Sequence, residues 1–319
     1  MLEVKDLCTY FENYRGKVFK AVDGVSFNVN KGEVLGMVGE SGSGKSVSCR
    51  SIIRLVPPPG KIVSGDINFE GINLAKASNS QLDRIRGKRI GMIFQEPMNT
   101  LNPVTTVGTQ LIETMEKEKI SKAEKREKAI ELLKMVEIPS PAMRLSDYPH
   151  QFSGGMRQRA MIAIALAPMP ELLIADEPTT ALDVTIQAQI INLLLSLRER
   201  LNMSLILITH DLGVASQMCD RIAVMYAGHI MEIAAADELM WNTCHPYTRG
   251  LINSLPSNNS KGKKLTPIKG LPPDLSKYTQ GCPFAPRCPL CRGICELELP
   301  KMSEITSGHF ARCHFAEKQ

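Results

Sequence analysis

Short, continuous apolar runs recur along the chain, most of them closed directly by a glycine or a polar residue. They fall at 34–38, 89–94, 172–175, 205–208 and 221–226. Runs of this length and bounding read as strands buried on both faces. Between them the period changes to that of a helix. Ala129, Leu132, Leu133 and Val136 form one stripe behind a capping box of Ser121 and Glu124, and Ile186, Ile190, Leu193, Leu194, Leu197 and Leu201 form another. Strands alternating with helices predict an α/β domain with an open, mostly parallel sheet. Residues 2–4, 21–29 and 62–69 predict further strands, with Tyr10 and Phe11 beginning a polar loop and Pro57-Pro58-Pro59-Gly60 breaking the chain. From 106 to 136 the pattern is helical with few strand signals, which predicts a helical subdomain inserted over about 98–165.

Composition narrows this only a little. The 319 residues carry a net charge of +5. The positive residues are dispersed, and no basic block is interleaved with aromatics, which argues against a nucleic-acid groove. No apolar run is long enough to span a bilayer, and 160–175 is interrupted by Pro168, Pro170 and Glu171. The first residues lack the charged and apolar blocks of a signal peptide, so the expectation is a cytosolic chain, or one held at a membrane by a partner. After about Ala236 the composition shifts. Pro246, Pro256, Pro267, Pro272 and Pro273 punctuate the chain, residues 257–264 read as a solvated linker, and an appendage over 241–319 is expected after a main domain over 1–240. Of nine cysteines, Cys8, Cys49, Cys219 and Cys244 are scattered, and the other five lie between Cys282 and Cys313. In a cytosolic chain such a cluster reads as metal binding before disulfides.

Four stretches carry chemistry. Gly39 to Ser46 reads GESGSGKS, placed between an apolar run and a helix-forming segment. Glycines there let backbone N–H groups face phosphate oxygens, Lys45 adds a point charge, and the Ser46 hydroxyl suits Mg2+. A nucleoside triphosphate is the expected ligand. Ser153-Gly154-Gly155 is a second anion-type helix start, against the plainer reading of an ordinary N-cap. Asp176 and Glu177 end the strand at 172–175, where one carboxylate suits a metal and the other a general base. His210 ends the next strand. Tyr10 or Phe11 could stack on a base, although spacing alone favours plain packing at a strand edge. For the tail, Cys288, Cys291 and Cys295 follow a C-x2-C-x3-C spacing. Zinc could take any four of the thiolates, or use His309 or His314, and an iron–sulfur cluster would use four cysteines.

GESGSGKS, Gln95, FSGGMRQR, LLIADE and His210 occur in the order and approximate spacing of an ATP-binding cassette ATPase, which the chain resembles over residues 1 to about 240. QEPMNTLNPVTTVG, DYPHQFSGGMRQR, HPYTRGL and GCPFAPRCP resemble the ATP-binding subunit of a dipeptide, oligopeptide or nickel importer. The resemblance implies the cassette fold: a mostly parallel core sheet, an N-terminal antiparallel β subdomain, a helical subdomain and a C-terminal cysteine-rich extension. It implies ATP held by Gly39, Glu40, Ser41, Gly42, Ser43, Gly44, Lys45, Ser46 and Val47, with Phe11, or else Tyr10, on the adenine. Mg2+ falls to Ser46 and Gln95 with Asp176 behind. Glu177 becomes the general base and His210 contacts the γ-phosphate, with Gln95 counted as catalytic through its Mg2+. Ser153, Gly154, Gly155, Gln158 and Asp183 are expected to meet ATP held by a second, related ATPase subunit. Cys282, Cys288, Cys295 and Cys313 are expected to hold a [4Fe–4S] cluster, zinc being the alternative and Cys291 an extra thiol. The implied partners are that subunit, two membrane permeases and, indirectly, an extracytoplasmic substrate-binding protein, with no nucleic acid. The implied location is the cytoplasmic face of the cell membrane. A cassette ATPase working on ribosomes or nucleic acid is the competing reading. Such chains usually carry two cassettes or a long coiled coil, and here there is one cassette with a short insert.

Overall fold

The computed structural model describes residues 1–95, 100–116, 119–180, 182–255, 267–275 and 280–316. The linker expected at 257–264 and Pro97 lie outside them, as does Ala181. The chain forms two compact units, one of 1–77 with 207–319 and one of 78–206.

The first unit begins with β1 (Leu2–Glu12), β2 (Val18–Val29), β3 (Val34–Val38), α1 (Lys45–Ile52), β4 (Gly60–Phe69) and β5 (Ile72–Asn73). An antiparallel sheet runs in the order β2-β1-β4-β5. Its strands bury one face, as Leu2, Val4, Leu7 and Thr9 show on β1 and Val25, Phe27 and Val29 on β2. Tyr10 and Phe11 do not begin a loop. They lie within β1, paired with Lys20 and Phe19. Alternation fails at Lys5-Asp6 because the strand bulges there. The register shifts between Val4 and Leu7, and Asp6 takes a left-handed conformation at φ 46. Its N–H donates to the Ser26 hydroxyl at 2.8 Å. The strand resumes beyond the bulge with the same face inward.

The second unit contains β6 (Ile90–Ile93), α2 (Val107–Thr114), α3 (Lys122–Met135), α4 (Gly154–Leu166), β7 (Leu172–Asp176) and α5 (Val184–Leu201). β6 and β7 pair in parallel, Ile90 opposite Leu172. The capping box ahead of α3 forms as expected: Glu124 N–H donates to Ser121 Oγ at 3.2 Å, and Ser121 N–H to the Glu124 carboxylate at 2.7 Å. The buried stripes are Ala129, Leu132 and Leu133 on α3 and Ile190, Leu193, Leu194 and Leu197 on α5.

The division between units falls inside β8 (Ser204–Thr209). The first unit then continues with α6 (Leu212–Met218), β9 (Arg221–Tyr226), β10 (His229–Ala235), α7 (Pro246–Asn253), β11 (Ser303–Thr306) and β12 (His309–Ala311). β3 pairs β9 in parallel, and β10 turns back on β9 through Ala227-Gly228, both at positive φ. β12 from the tail pairs β10, and β11 pairs β12, both antiparallel. The segment beyond residue 240 therefore adds strands to the sheet that contains β3. No helix among the described residues is long and apolar enough to cross a membrane.

Candidate active site

The wholly buried strand β3 delivers the chain into the glycine-rich loop. A Cβ on Gly39 would lie 2.1 Å from the Met225 carbonyl oxygen, and one on Gly44 would lie 2.3 Å from that of Ala21. Backbone passes backbone at both points, so the loop needs glycine there for space. The curve is closed by Gly228 N–H donating to Ser43 O at 2.9 Å. α1 starts at Lys45, and Gly44 offers no side chain to cap its first turn. That turn has the geometry of an anion-binding helix start. The Lys45 ammonium is only 4 % exposed and donates to Gly39 O at 2.7 Å, Glu40 O at 2.9 Å and Ser43 Oγ at 3.3 Å. Ser46 and Val47 follow in the same first turn. The residues fit a triphosphate: a cradle too tight for Cβ atoms, a helix start and a fixed cation.

Tyr10 and Phe11 are successive residues of β1 and so point to opposite faces. The Tyr10 hydroxyl donates to Asp23 at 2.7 Å, and the Lys20 ammonium lies 5.5 Å from its ring centre. The Phe11 ring covers Gly60, where a Cβ would come within 2.6 Å of it. His210 stands at the end of β8, exposed, just before Asp211 caps α6 by accepting Val214 N–H at 3.1 Å.

In the second unit β7 ends at Asp176, which is fully buried. The next residue, Glu177, takes a left-handed backbone at φ 46. This is an uncommon conformation for a non-glycine residue. Two donors hold its carboxylate by Oε2: Gln95 Nε2 at 3.1 Å and Thr180 Oγ1 at 2.8 Å. The two strand ends, β6 and β7, are thus joined through the pair that sequence reading assigned to metal and base chemistry.

Ser153 caps α4 by accepting Met156 N–H at 3.3 Å. A Cβ on Gly155 would come 3.0 Å from Ile186, and one on Gly154 would come 3.5 Å from Leu182. The Ser-Gly-Gly turn therefore lies against the loop around Asp183, which caps α5 by accepting Ile186 N–H at 2.9 Å. Gln158 lies one turn further along α4. It is 2 % exposed, on the side of the helix turned into the second unit. Sequence spacing alone could not distinguish the inward from the outward face of so apolar a helix.

In the tail, Cys282, Cys288, Cys295 and Cys313 line one small cavity together with Phe284, Pro300 and His314. Burial pushes the Cys282 thiol up to about 12, and the nearby Cys313, Cys288 and Cys295 add to the rise. Cys291 lines a different pocket, with Arg249, Arg292 and Phe315. Tetrahedral zinc needs thiolates about 3.8 Å apart, given Zn–S bonds near 2.3 Å. Among the described residues Glu232, Cys244 and His309 form a group whose ligand atoms lie within 4.8 Å of one another. That buried group is a hydrogen-bonded network. Glu232 accepts Cys244 N–H at 2.6 Å, His309 Nε2 at 2.7 Å, Thr243 Oγ1 at 3.0 Å and His245 N–H at 3.2 Å, which fills a carboxylate's capacity.

The sequence pattern missed Arg287, Tyr226 and Tyr247. Arg287 grips the Glu40 carboxylate by two bonds, at 2.7 and 3.0 Å, and the Tyr247 hydroxyl accepts Glu40 N–H at 3.0 Å. Two of them stand in stretches already noted, HPYTRGL and GCPFAPRCP, but no local pattern says that these stretches meet the phosphate loop.

The ABC transporter family model matches residues 22–180, and the model of the oligopeptide/dipeptide transporter C-terminal region matches 231–295. A probable peptide ABC transporter ATP-binding protein of Sinorhizobium fredii is 51 % identical over 98 % of this chain and 94 % of its own. The oligopeptide transport ATP-binding protein OppD of Bacillus subtilis is 50 % identical over 98 % of this chain and 88 % of its own. The dipeptide transport ATP-binding protein DppD of the same organism is 48 % identical over 100 % of this chain and 96 % of its own. Among solved structures, a dimeric ATP-binding cassette in a post-hydrolysis state with ADP and Pi matches with a TM-score of 0.66 at 30 % identity, covering 74 % of this chain and 99 % of that one. With such identity sustained over nearly the full length of its relatives, the chain belongs to the ABC transporter family, in the branch whose ATP-binding subunits end in the oligopeptide/dipeptide transporter C-terminal region.

Proposed function

We propose that this chain hydrolyses ATP to power import of dipeptides or oligopeptides, as one of two ATPase subunits bound to two membrane permeases. Family membership supports the ATPase activity and the peptide branch. The observation that carries the chemistry is the Glu177 carboxylate, fixed at the end of β7 by Gln95 and Thr180.

In this reading the loop from Gly39 to Ser46 holds the phosphates by its N–H groups and Lys45, with Val47 following and Phe11 on the base. Ser46, Gln95 and Asp176 would hold Mg2+, which neutralises charge on the phosphate oxygens. Glu177 takes the proton of the attacking water, and His210 contacts the γ-phosphate. Ser153, Gly154 and Gly155 cap the γ-phosphate of a related, non-identical subunit, with Asp183 beside that interface; the closeness of Gly155 to Ile186 supports this grouping. The chain works at the cytoplasmic face of the membrane and receives solute from an extracytoplasmic binding protein through the permeases.

Cys282, Cys288, Cys295 and Cys313 would hold a [4Fe–4S] cluster, which supplies a rigid cross-link of the tail. The cavity that these four cysteines line together supports that ligand set. Purified protein should then show broad visible absorbance that bleaches with dithionite. A colourless, zinc-loaded protein would exclude it.

The test of the chemistry is Glu177→Gln. ATP affinity should stay within about twofold, and turnover should fall by roughly 10²–10⁴. Parent-like turnover would remove Glu177 from the role of base.

A further inference from the structure

The cysteine-rich tail reaches into the phosphate loop through one side chain. Arg287 immediately precedes Cys288, its side chain is 5 % exposed, and all five of its N–H groups have acceptors. Nε donates to Lys269 O at 3.1 Å. Nη1 donates to Glu40 Oε2 at 2.7 Å and Tyr226 Oη at 3.1 Å. Nη2 donates to Glu40 Oε1 at 3.0 Å and Ile268 O at 3.5 Å. The guanidinium also lies 5.6 Å from the Tyr226 ring centre and 5.9 Å from that of Phe284. Such a two-pronged, charge-assisted pair holds geometry as well as charge.

Glu40 is the second residue of the loop, and every polar group it has is tied. Its carboxylate goes to Arg287, its N–H to Tyr247 Oη and its carbonyl to the Lys45 ammonium. The same ammonium holds Gly39 O. The Arg287 pair therefore acts on the peptide that orients Lys45. It also matches a carboxylate that would otherwise stand unopposed in a loop built for phosphate.

We propose that Arg287 is a positioning residue for nucleotide binding, which fixes the phosphate loop through Glu40 and makes the cysteine-rich segment part of the ATP site. The inference rests on the reading that this loop holds the phosphates. It does not depend on which metal, if any, the cysteines bind.

The test uses the full-length chain and the fluorescent analogue mant-ATP, with thermal unfolding followed in parallel. Arg287→Met and Glu40→Gln should each weaken mant-ATP about tenfold, and the double variant should be no weaker than the weaker single, because both remove one interaction. Arg287→Lys keeps the charge without the fork and should fall between parent and Arg287→Met. In the assembled transporter, KM for ATP should rise with kcat changed less than twofold. Arg292→Met, in the same segment but with its guanidinium 4.3 Å from the Phe315 ring, should bind as the parent does. If Arg287→Met does not fold, Glu40→Gln carries the test alone, since that carboxylate is partly exposed. Parent-like affinity in Glu40→Gln and Arg287→Met, or additive losses in the double, would overturn the inference. Lys45→Met separates the two levels. Loss of binding there with parent-like Arg287→Met defeats only the role of Arg287, whereas retained binding in Lys45→Met defeats the loop reading and the inference with it.

Discussion

His245 must be neutral to do its work. Its Nδ1 accepts Tyr247 N–H at 3.0 Å and so caps α7, and a protonated ring has no acceptor. Burial pushes its pKa down to about 4, and His229 is pushed down to about 4 as well, again by burial first. An unfolded chain carries these rings near 6.5. Between those values the unfolded state binds more protons, so stability falls as pH drops from about 6.5 to about 4. His309 works in the opposite sense. The Glu232 carboxylate raises its pKa, so its contribution is present below 6.5 and is lost as pH rises through the folded value. His245→Asn keeps a cap and removes the titration. Its melting temperature should fall less than the parent's between pH 7 and pH 4.5, a difference worth about 1–3 kcal/mol at the acid end. Parallel acid curves would show that His245 is not the group responsible. None of this was legible beforehand. HPYTRGL reads as polar and punctuated by proline, and only the fold reveals that its histidine and tyrosine are buried.

Elements were legible where their periodicity was uninterrupted. β3, β7, β8 and β9 are continuous apolar runs, and the Ser121 box and the stripes of α3 and α5 follow the helical period. β1 runs well beyond the predicted 2–4; a bulge at Asp6 breaks its alternation there. β10 and β12 have no counterpart in the sequence pattern because His229, Glu232 and His309 make them look polar, although each forms a hairpin with the strand before it. The start of α4 is legible as an anion-type turn, whereas the face on which Gln158 is buried is not. Ser153 has two duties there: it caps α4, and in the proposed function it faces a nucleotide from another subunit. Ser153→Ala should cost about 1 kcal/mol in unfolding experiments. Ser153→Asp retains a good cap but adds a negative charge toward the γ-phosphate. It should melt close to the parent, bind ATP in the isolated chain as the parent does, and lose turnover more than tenfold in the assembled pair. Normal turnover in Ser153→Asp would place the turn away from phosphate. At the loop, Gly44→Ala drives a Cβ to 2.3 Å from a backbone oxygen, so both stability and ATP binding should fall sharply.

For the whole molecule, a site completed by a second subunit makes hydrolysis depend on association. Specific ATPase activity should rise with protein concentration and fall steeply below the dissociation constant of the pair, while mant-ATP binding stays constant on dilution. Full turnover in a proven monomer would contradict the composite site. The functional class was legible in the sequence because the chemistry of an ATP site is concentrated in short stretches with fixed spacing. The role of the tail was not. A proline-rich, polar composition reads as an appendage, yet residues 303–311 add strands to the sheet of the first unit, and Arg287 reaches its opening loop. Such contacts have no local periodicity by which to be found.

The Glu40–Arg287 pair joins residues 247 positions apart. A ribosome adding about 5–20 residues per second makes the arginine roughly 12–50 s after the glutamate. During that interval the nascent chain holds its phosphate loop without its clamp, and β10 presents an edge that only β12 will cover. The loop that opens the site is thus among the last parts to be finished. A chain released before its cysteine-rich segment lacks the contacts that set Glu40, whatever the quality of the two hundred and eighty residues already made.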